Sequence, residues 1–164
     1  MQKLWCTGFK AFKTIVEKNN WTNAVPDNIA IISINCGDGI RRPSETHLCS
    51  GVNVLNLDFD DVDPISLGFS ENSESHLGHN EHGDPVVITH FTDKQADIAV
   101  KFIEQHQEKD FYIHCSAGVS RSQAFVKYIQ TVYFERQWET NPGNPCQHPN
   151  MFVYQKLMKK HRGE

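Results

Sequence analysis

Apolar residues along the chain fall into short runs and helical stripes separated by polar connectors. Leu4 to Thr7 predicts a short strand, and Phe9 to Lys18 predicts a helix with Phe12, Ile15 and Val16 on one side. Ile29 to Ile34 (IAIISI) is a nearly unbroken β-branched run, the pattern of a strand covered on both faces. The polar connector NCGDGIRRPSETH follows, punctuated by Gly-Asp-Gly and Arg-Pro. Val52 to Leu57 predicts a further strand, ending in the acidic turn Asp58-Phe59-Asp60-Asp61-Val62-Asp63-Pro64. Residues 66 to 90 are rich in Ser, Asn, His and Gly with weak periodicity, and read as a long surface loop holding at most one short turn.

Regular pattern returns at Thr92. Thr92 and Gln95 form a capping box, and Ala96, Ala99, Phe102 and Ile103 then share one face of a helix expected to reach about Gln107. Phe111 to His114 predicts a strand, and Gln123 to Phe134 a helix burying Phe125, Ile129 and Val132. Asn141-Pro142-Gly143-Asn144-Pro145 breaks the chain, and Pro149 can open a last helix running through Leu157. Strands alternating with helices imply an α/β fold, a mostly parallel central sheet flanked by helices, and 164 residues suit a single domain over 1–164.

Composition narrows the function classes. Hydrophobic residues make up 38% and charged residues 22%, with a formal net charge of −4. This balance gives no bulk basic character for a nucleic acid or an acidic membrane. Five cysteines at irregular spacings, with no CxxC pair, argue for reduced thiols in a cytoplasmic protein. No apolar stretch suggests a signal peptide or a membrane span.

The chemistry concentrates in residues 114 to 122, HCSAGVSRS, between a strand and a helix. A small-residue loop entering a helix N-terminus is an anion cradle, because its N–H groups turn inward where the helix end is positive. Gly118 lets the backbone curl, and Ala117 and Ser120 keep the walls low. Arg121 supplies a planar fork for two phosphate oxygens. The same field favours the thiolate form of Cys115, which makes it the candidate nucleophile.

HCSAGVSRS resembles the HCxxGxxR[ST] signature of the cysteine-dependent protein tyrosine phosphatases, most closely their dual-specificity subgroup, which shares the AGxSRS ending. The resemblance extends over much of Ile29 to Leu157, but only the nonapeptide is highly specific. It implies that Cys115 forms a cysteinyl-phosphate without metal or cofactor. Arg121 and the amides of Ser116, Ala117, Gly118, Val119, Ser120 and Arg121 would hold the phosphate oxygens. Ser122 would hydrogen-bond the sulfur and ease its departure, and His114 would orient the loop. The implied substrate is a phosphorylated protein carrying phosphotyrosine, with phosphoserine and phosphothreonine left open. In this family a carboxylic acid from an earlier strand–loop protonates the leaving group. VLNLDFDDVD supplies it, with Asp61 at the matching place and Asp60 and Asp63 as substitutes; Asp84, in an HGDP context, reads as a plain turn.

Some features sit beside that pattern. His76, His79, His82 and His90 occupy the long connection to Thr92, where a loop shaping substrate choice is favoured over a metal site. Cys36 follows a strand whose counterpart, in some members of the superfamily, carries a thiol that bonds reversibly to the nucleophile; a simple buried thiol is the alternative. Arg41 and Arg42 lie in the same connector. The competing functions are a phosphoinositide or RNA phosphatase on the same fold, a phosphate-binding pseudophosphatase and a rhodanese-like sulfur transferase. The absence of lysine at Ser116, Ala117 and Val119 weighs against inositides, and the upstream acids weigh against sulfur transfer.

Overall fold

The structure, a computed structural model, describes residues 1–37, 46–71, 73–80, 82–141 and 148–164. Its centre is a five-stranded parallel sheet built from β1 (Gln2–Gly8), β2 (Ile29–Asn35), β3 (Val54–Asp58), β6 (Asp110–Cys115) and β7 (Trp138–Thr140). Their order across the sheet is β3-β2-β6-β1-β7, and every neighbouring pair is parallel. The elements between them are α1 (Phe9–Asn19), the strands β4 (Ser75–His79) and β5 (Pro85–Thr89), α2 (Asp93–Gln105), α3 (Arg121–Val132) and α4 (Met151–His161). This is the α/β architecture the alternating pattern predicts.

The two faces of the sheet are covered separately. On one, Phe12 and Val16 of α1 pack with Trp21, Ile29, Ile31, Cys49 and Tyr112. On the other, α2, α3 and α4 bury Ala99, Ile103, Phe125, Ile129, Val153 and Leu157 against Ile32, Ile34 and Ile113. All seven residues of β2 are buried, which is why its sequence shows no alternation. The Thr92–Gln95 capping box is present: Gln95 N–H donates to Thr92 Oγ1 at 3.1 Å, and Thr92 N–H to Gln95 Oε1 at 2.9 Å. Two helices depart slightly from expectation, α2 ending at Gln105 and α3 spanning Arg121–Val132. The last helix begins after Pro149, with Asn150 as its cap, because the Asn150 side chain accepts from Val153 N–H at 3.1 Å.

The surface loop expected over 66–90 is corrected: β4 and β5 pair as an antiparallel hairpin from Ser75↔Thr89 to His79↔Pro85. Asn80 closes its turn by accepting from the N–H groups of His82 and Asp84, both at 2.9 Å. The β-branched run Val86-Val87-Ile88-Thr89 was the signal for it. His76 stacks between Phe69 and His90, with ring centroids 4.2 and 5.2 Å away, and His90 meets Phe152 of α4 edge-on. Two of the four histidines therefore pack the hairpin onto the body. Burial, with the His76 ring beside it, lowers the His90 pKa despite a hydrogen bond to the Phe91 carbonyl. Among the described residues no group of three His, Cys, Asp or Glu side chains converges to hold a metal ion, and no helix is long and apolar enough to cross a membrane. Arg41, Arg42, Cys146 and the Pro-Gly-Asn-Pro break lie outside the described residues.

Asp60 anchors the hairpin base. Its buried carboxylate accepts from Gly37 N–H at 3.0 Å, Thr89 N–H at 2.8 Å and Thr89 Oγ–H at 3.3 Å, while its own N–H donates to Thr89 O at 2.7 Å. The approach is tight enough that a Cβ on Gly37 would lie 1.8 Å from Thr89 Oγ1. Asp60→Ala would strand these donors, and it should cost about 3 kcal/mol in urea unfolding. Exposed Asp61 replaced by Ala should cost well under about 1 kcal/mol. Equal midpoints for the two variants would show that the Asp60 anchor carries no stability.

Candidate active site

The carboxyl ends of β2, β3 and β6 meet where an open parallel sheet binds its ligands. Cys115 is the last residue of β6, and residues 116–120 curl before α3 begins at Arg121. The curl is fixed from below by β1. Ser116 O accepts from Phe9 N–H at 3.0 Å, and Gly118, at φ 75°, lies so close to the chain that an added Cβ would be 2.5 Å from Thr7 C and Gly8 N. Gly118 thus meets both requirements that only glycine satisfies, a left-handed φ and a bare α-carbon. Gln123 Nε2 braces the turn by donating to Gly118 O at 3.0 Å.

Inside this curl lies the Cys115 sulfur, 2% exposed as a residue. Gly118 N–H donates to Sγ at 3.2 Å, and Ser122 Oγ lies 3.1 Å away. Behind Ser122 is a residue that the sequence reading passed over. Cys6 of β1 donates its thiol proton to Ser122 Oγ at 3.1 Å. Its other acceptor, Gly118 O, is farther at 3.7 Å and already takes the Gln123 bond. Accepting from Cys6 leaves the Ser122 proton available to Cys115 at 3.1 Å, and a Cys115 thiolate would take it. By pattern alone Cys6 is merely a small buried hydrophobe on a strand.

Arg121 is buried and folded across the sheet's edge. One terminal nitrogen donates to Phe59 O at 2.8 Å and Asn35 O at 3.2 Å; the other donates to Ser116 Oγ at 3.0 Å. Its Nε–H is buried and unpartnered among the described residues. A buried donor without an acceptor costs about 1–3 kcal/mol, and a bound phosphate oxygen would satisfy it. Cys36 lies within 3.6 Å of the same guanidinium and 3.7 Å of Ser116 Oγ, so it borders the site as a thiol in no disulfide among the described residues.

The acidic turn resolves into separate roles. Asp60 is the structural anchor, and Asp63 caps its own turn by accepting from Ile65 N–H at 3.0 Å and Ser66 Oγ–H at 2.7 Å. Asp84 belongs to the hairpin turn. Asp61 alone of the set reaches the curl: Ser120 Oγ–H donates to its Oδ1 at 2.7 Å, and Asn150 Nδ2–H at 2.9 Å. Among the described residues its Oδ2 has no partner. Asn150, the α4 cap, also donates its N–H to Ser120 O at 3.2 Å, tying the acid, the curl and α4 together. A sulfur between two donors, a half-satisfied buried guanidinium and an exposed carboxyl beside them can hold a phosphoryl group and exchange protons with its ester oxygen.

His114 points to the opposite face of β6, stacked on Phe12 at 4.2 Å between ring centroids. Burial drives its pKa down to about 3 against an upward pull from the Cys115 main chain, with His47 and Arg121 adding smaller downward shifts, so the ring is neutral at ordinary pH.

No family model and no curated protein matches the chain. Among solved structures it is similar to the crystal structure of the human tyrosine phosphatase-like serine/threonine/tyrosine-interacting protein, at 18% identity and a TM-score of 0.46, over 94% of this chain and 85% of that one.

Gly118→Ala tests the geometry of the curl without any assay of turnover. The strained φ and the collision with the Thr7–Gly8 peptide should cost about 1–3 kcal/mol of stability and weaken tungstate binding. Wild-type stability and tungstate affinity in this variant would mean that the close approach is not a constraint.

Proposed function

We propose that this protein is a cysteine-dependent phosphatase acting on phosphorylated proteins, phosphotyrosine above all. The observation that carries the reading is the sulfur of Cys115 held between Gly118 N–H and Ser122 Oγ, on the same curl that presents the buried Nε–H of Arg121. The Cys115 thiolate would attack phosphorus while the P–O ester bond breaks. Arg121 and the amides of residues 116–121 would take up the charge on the equatorial oxygens. Asp61 would give its proton, carried on Oδ2, to the departing phenolate. In the second step water attacks the cysteinyl-phosphate, Asp61 carboxylate accepts its proton, and the P–S bond breaks to return the thiolate. The Ser122 hydroxyl, 3.1 Å from the sulfur, would donate to it and stabilise that leaving charge.

The decisive experiment is phosphate release from phosphotyrosine, phosphoserine, phosphothreonine and inositide substrates, with Cys115→Ser as the control. The phosphotyrosine peptide should turn over in the wild type alone, with a phosphocysteine trapped at residue 115. Tight binding of these substrates with no release from any of them would falsify the reading and leave a phosphate-binding protein. Preferential release from inositides would move the substrate class.

Asp61→Asn should lower the rate about a hundredfold or more on a phosphotyrosine peptide, yet only mildly on an activated aryl phosphate. The phenolate of the latter leaves with little help. Its basic-side pH limb should flatten as well. Equal losses on both substrates would assign the proton to another group.

A further inference from the structure

The Ser122 hydroxyl lies between two sulfurs that come from different strands. Successive residues of β1 face opposite sides of the sheet, so Leu4 and Cys6 join the core under α2, α3 and α4, while Trp5 packs with the cluster on the α1 face. Parallel pairing sets Gly8 of β1 beside Cys115 at the end of β6, and Cys6 beside Ile113. Ser122, in the first turn of α3, reaches both strands: its Oγ is 3.1 Å from Cys6 Sγ and 3.1 Å from Cys115 Sγ. Cys6 and Cys115 are each 2% exposed and Ser122 is fully buried, so these bonds lie away from solvent.

A hydroxyl carries one proton and accepts at two lone pairs. A Cys115 thiolate can only accept, and Gly118 N–H already donates to that sulfur at 3.2 Å. Ser122 supplies a second donor by turning its proton to the same sulfur, which leaves its lone pairs for Cys6. The Cys6 thiol donates to the serine oxygen; Gly118 O, a second acceptor for that thiol, is farther, at 3.7 Å. The order of donation is then Cys6 S–H to Ser122 O–H to Cys115 sulfur, each link polarising the next. No proton leaves its atom along this line.

We infer that Cys6 is a positioning residue, which holds the Ser122 hydroxyl toward Cys115 and so favours breakage of the P–S bond. The sign follows from where charge moves. In the first step the sulfur shares its electron pair with phosphorus and loses negative charge, so a donor aimed at it gives that step no help. In the second, the water oxygen bonds to phosphorus, its proton passes to the Asp61 carboxylate, and the P–S electron pair returns to sulfur. A donor matters most there, where the sulfur regains its charge. This consequence rests on the phosphatase reading; the Cys6–Ser122 hydrogen bond does not. A cysteine that only filled space would act on neither step selectively.

The test has a spectroscopic arm and a kinetic arm. The infrared S–H stretch of Cys6, isolated as the difference between wild type and Cys6→Ala, should move to higher wavenumber in a Ser122→Ala background, where its acceptor is lost. Rapid-quench kinetics with an aryl phosphate separate phenolate release from cleavage of the cysteinyl-phosphate. Cys6→Ala should slow that cleavage about two- to fivefold, the size one modest hydrogen bond supports, with first-turnover release of phenolate unslowed. More of residue 115 should then stand as phosphocysteine at steady state. Cys6→Val, which has no donor and leaves no void, should match it and serves should the alanine variant not fold. Cys6→Ser keeps a donor and should restore cleavage to near the wild-type rate. Adding Cys6→Ala to Ser122→Ala should slow cleavage no further, because the effect passes through the hydroxyl. An unmoved S–H band, cleavage unslowed in both donorless variants, or equal losses in the two steps would each overturn the positioning role. A wild type that releases phosphate from no phosphoester would remove the phosphatase reading and with it the kinetic consequence, and the infrared band would decide the Cys6–Ser122 bond by itself.

Discussion

The site depends on a buried cation whose compensation comes from the main chain. Arg121 carries its charge into a nearly closed environment, where no carboxylate among the described residues pairs with it. Isolated burial of such a charge would be prohibitive, so the carbonyls of Asn35 and Phe59 supply the acceptors. These carbonyls belong to the carboxyl ends of β2 and β3. Arg121 can therefore sit where it does only while both strands end at the right height. The parallel register, Asn35 beside Asp58 and Ser33 beside His114, is what brings those ends together.

The same constraint explains the crowding of acids after β3. The chain must leave the sheet immediately beyond Phe59, whose carbonyl faces the guanidinium. Asp60 then turns inward to tie the exit to Gly37 and to the hairpin, and Asp61 is thereby turned outward toward Ser120 and Asn150. Adjacent carboxylates thus take opposite duties because the chain bends tightly at Asp61, where Val62 N–H donates to Asp60 O at 2.9 Å. The hairpin contributes by fixing the base of this turn, where Thr89 N–H donates to the Asp60 carboxylate.

Those features were unequally legible in the sequence. The β-branched run of β2, the Thr92–Gln95 box and the nonapeptide announced themselves because each depends on local spacing. Strand β7 did not, since Trp138-Glu139-Thr140 is a three-residue edge held by pairing with Gln2 to Leu4. Asp61 could be favoured only by resemblance; its separation from Asp60 and Asp63 needed the burial of one and the local turn of the other. Cys6 and Asn150 were invisible as site residues. Cys6 looks like core and Asn150 like a cap. Each takes its meaning from a contact set by strand register or helix docking.

The alternation of β6 divides the chemistry between two faces. Cys115 faces the side of α2, α3 and α4, where Ser122 Oγ lies 3.1 Å from its sulfur with Cys6 behind it. His114 faces α1, where burial keeps its ring neutral and Ser33 Oγ lies 2.7 Å from its Nε2. A charged His114 in the same place would incur the desolvation cost that its lowered pKa records.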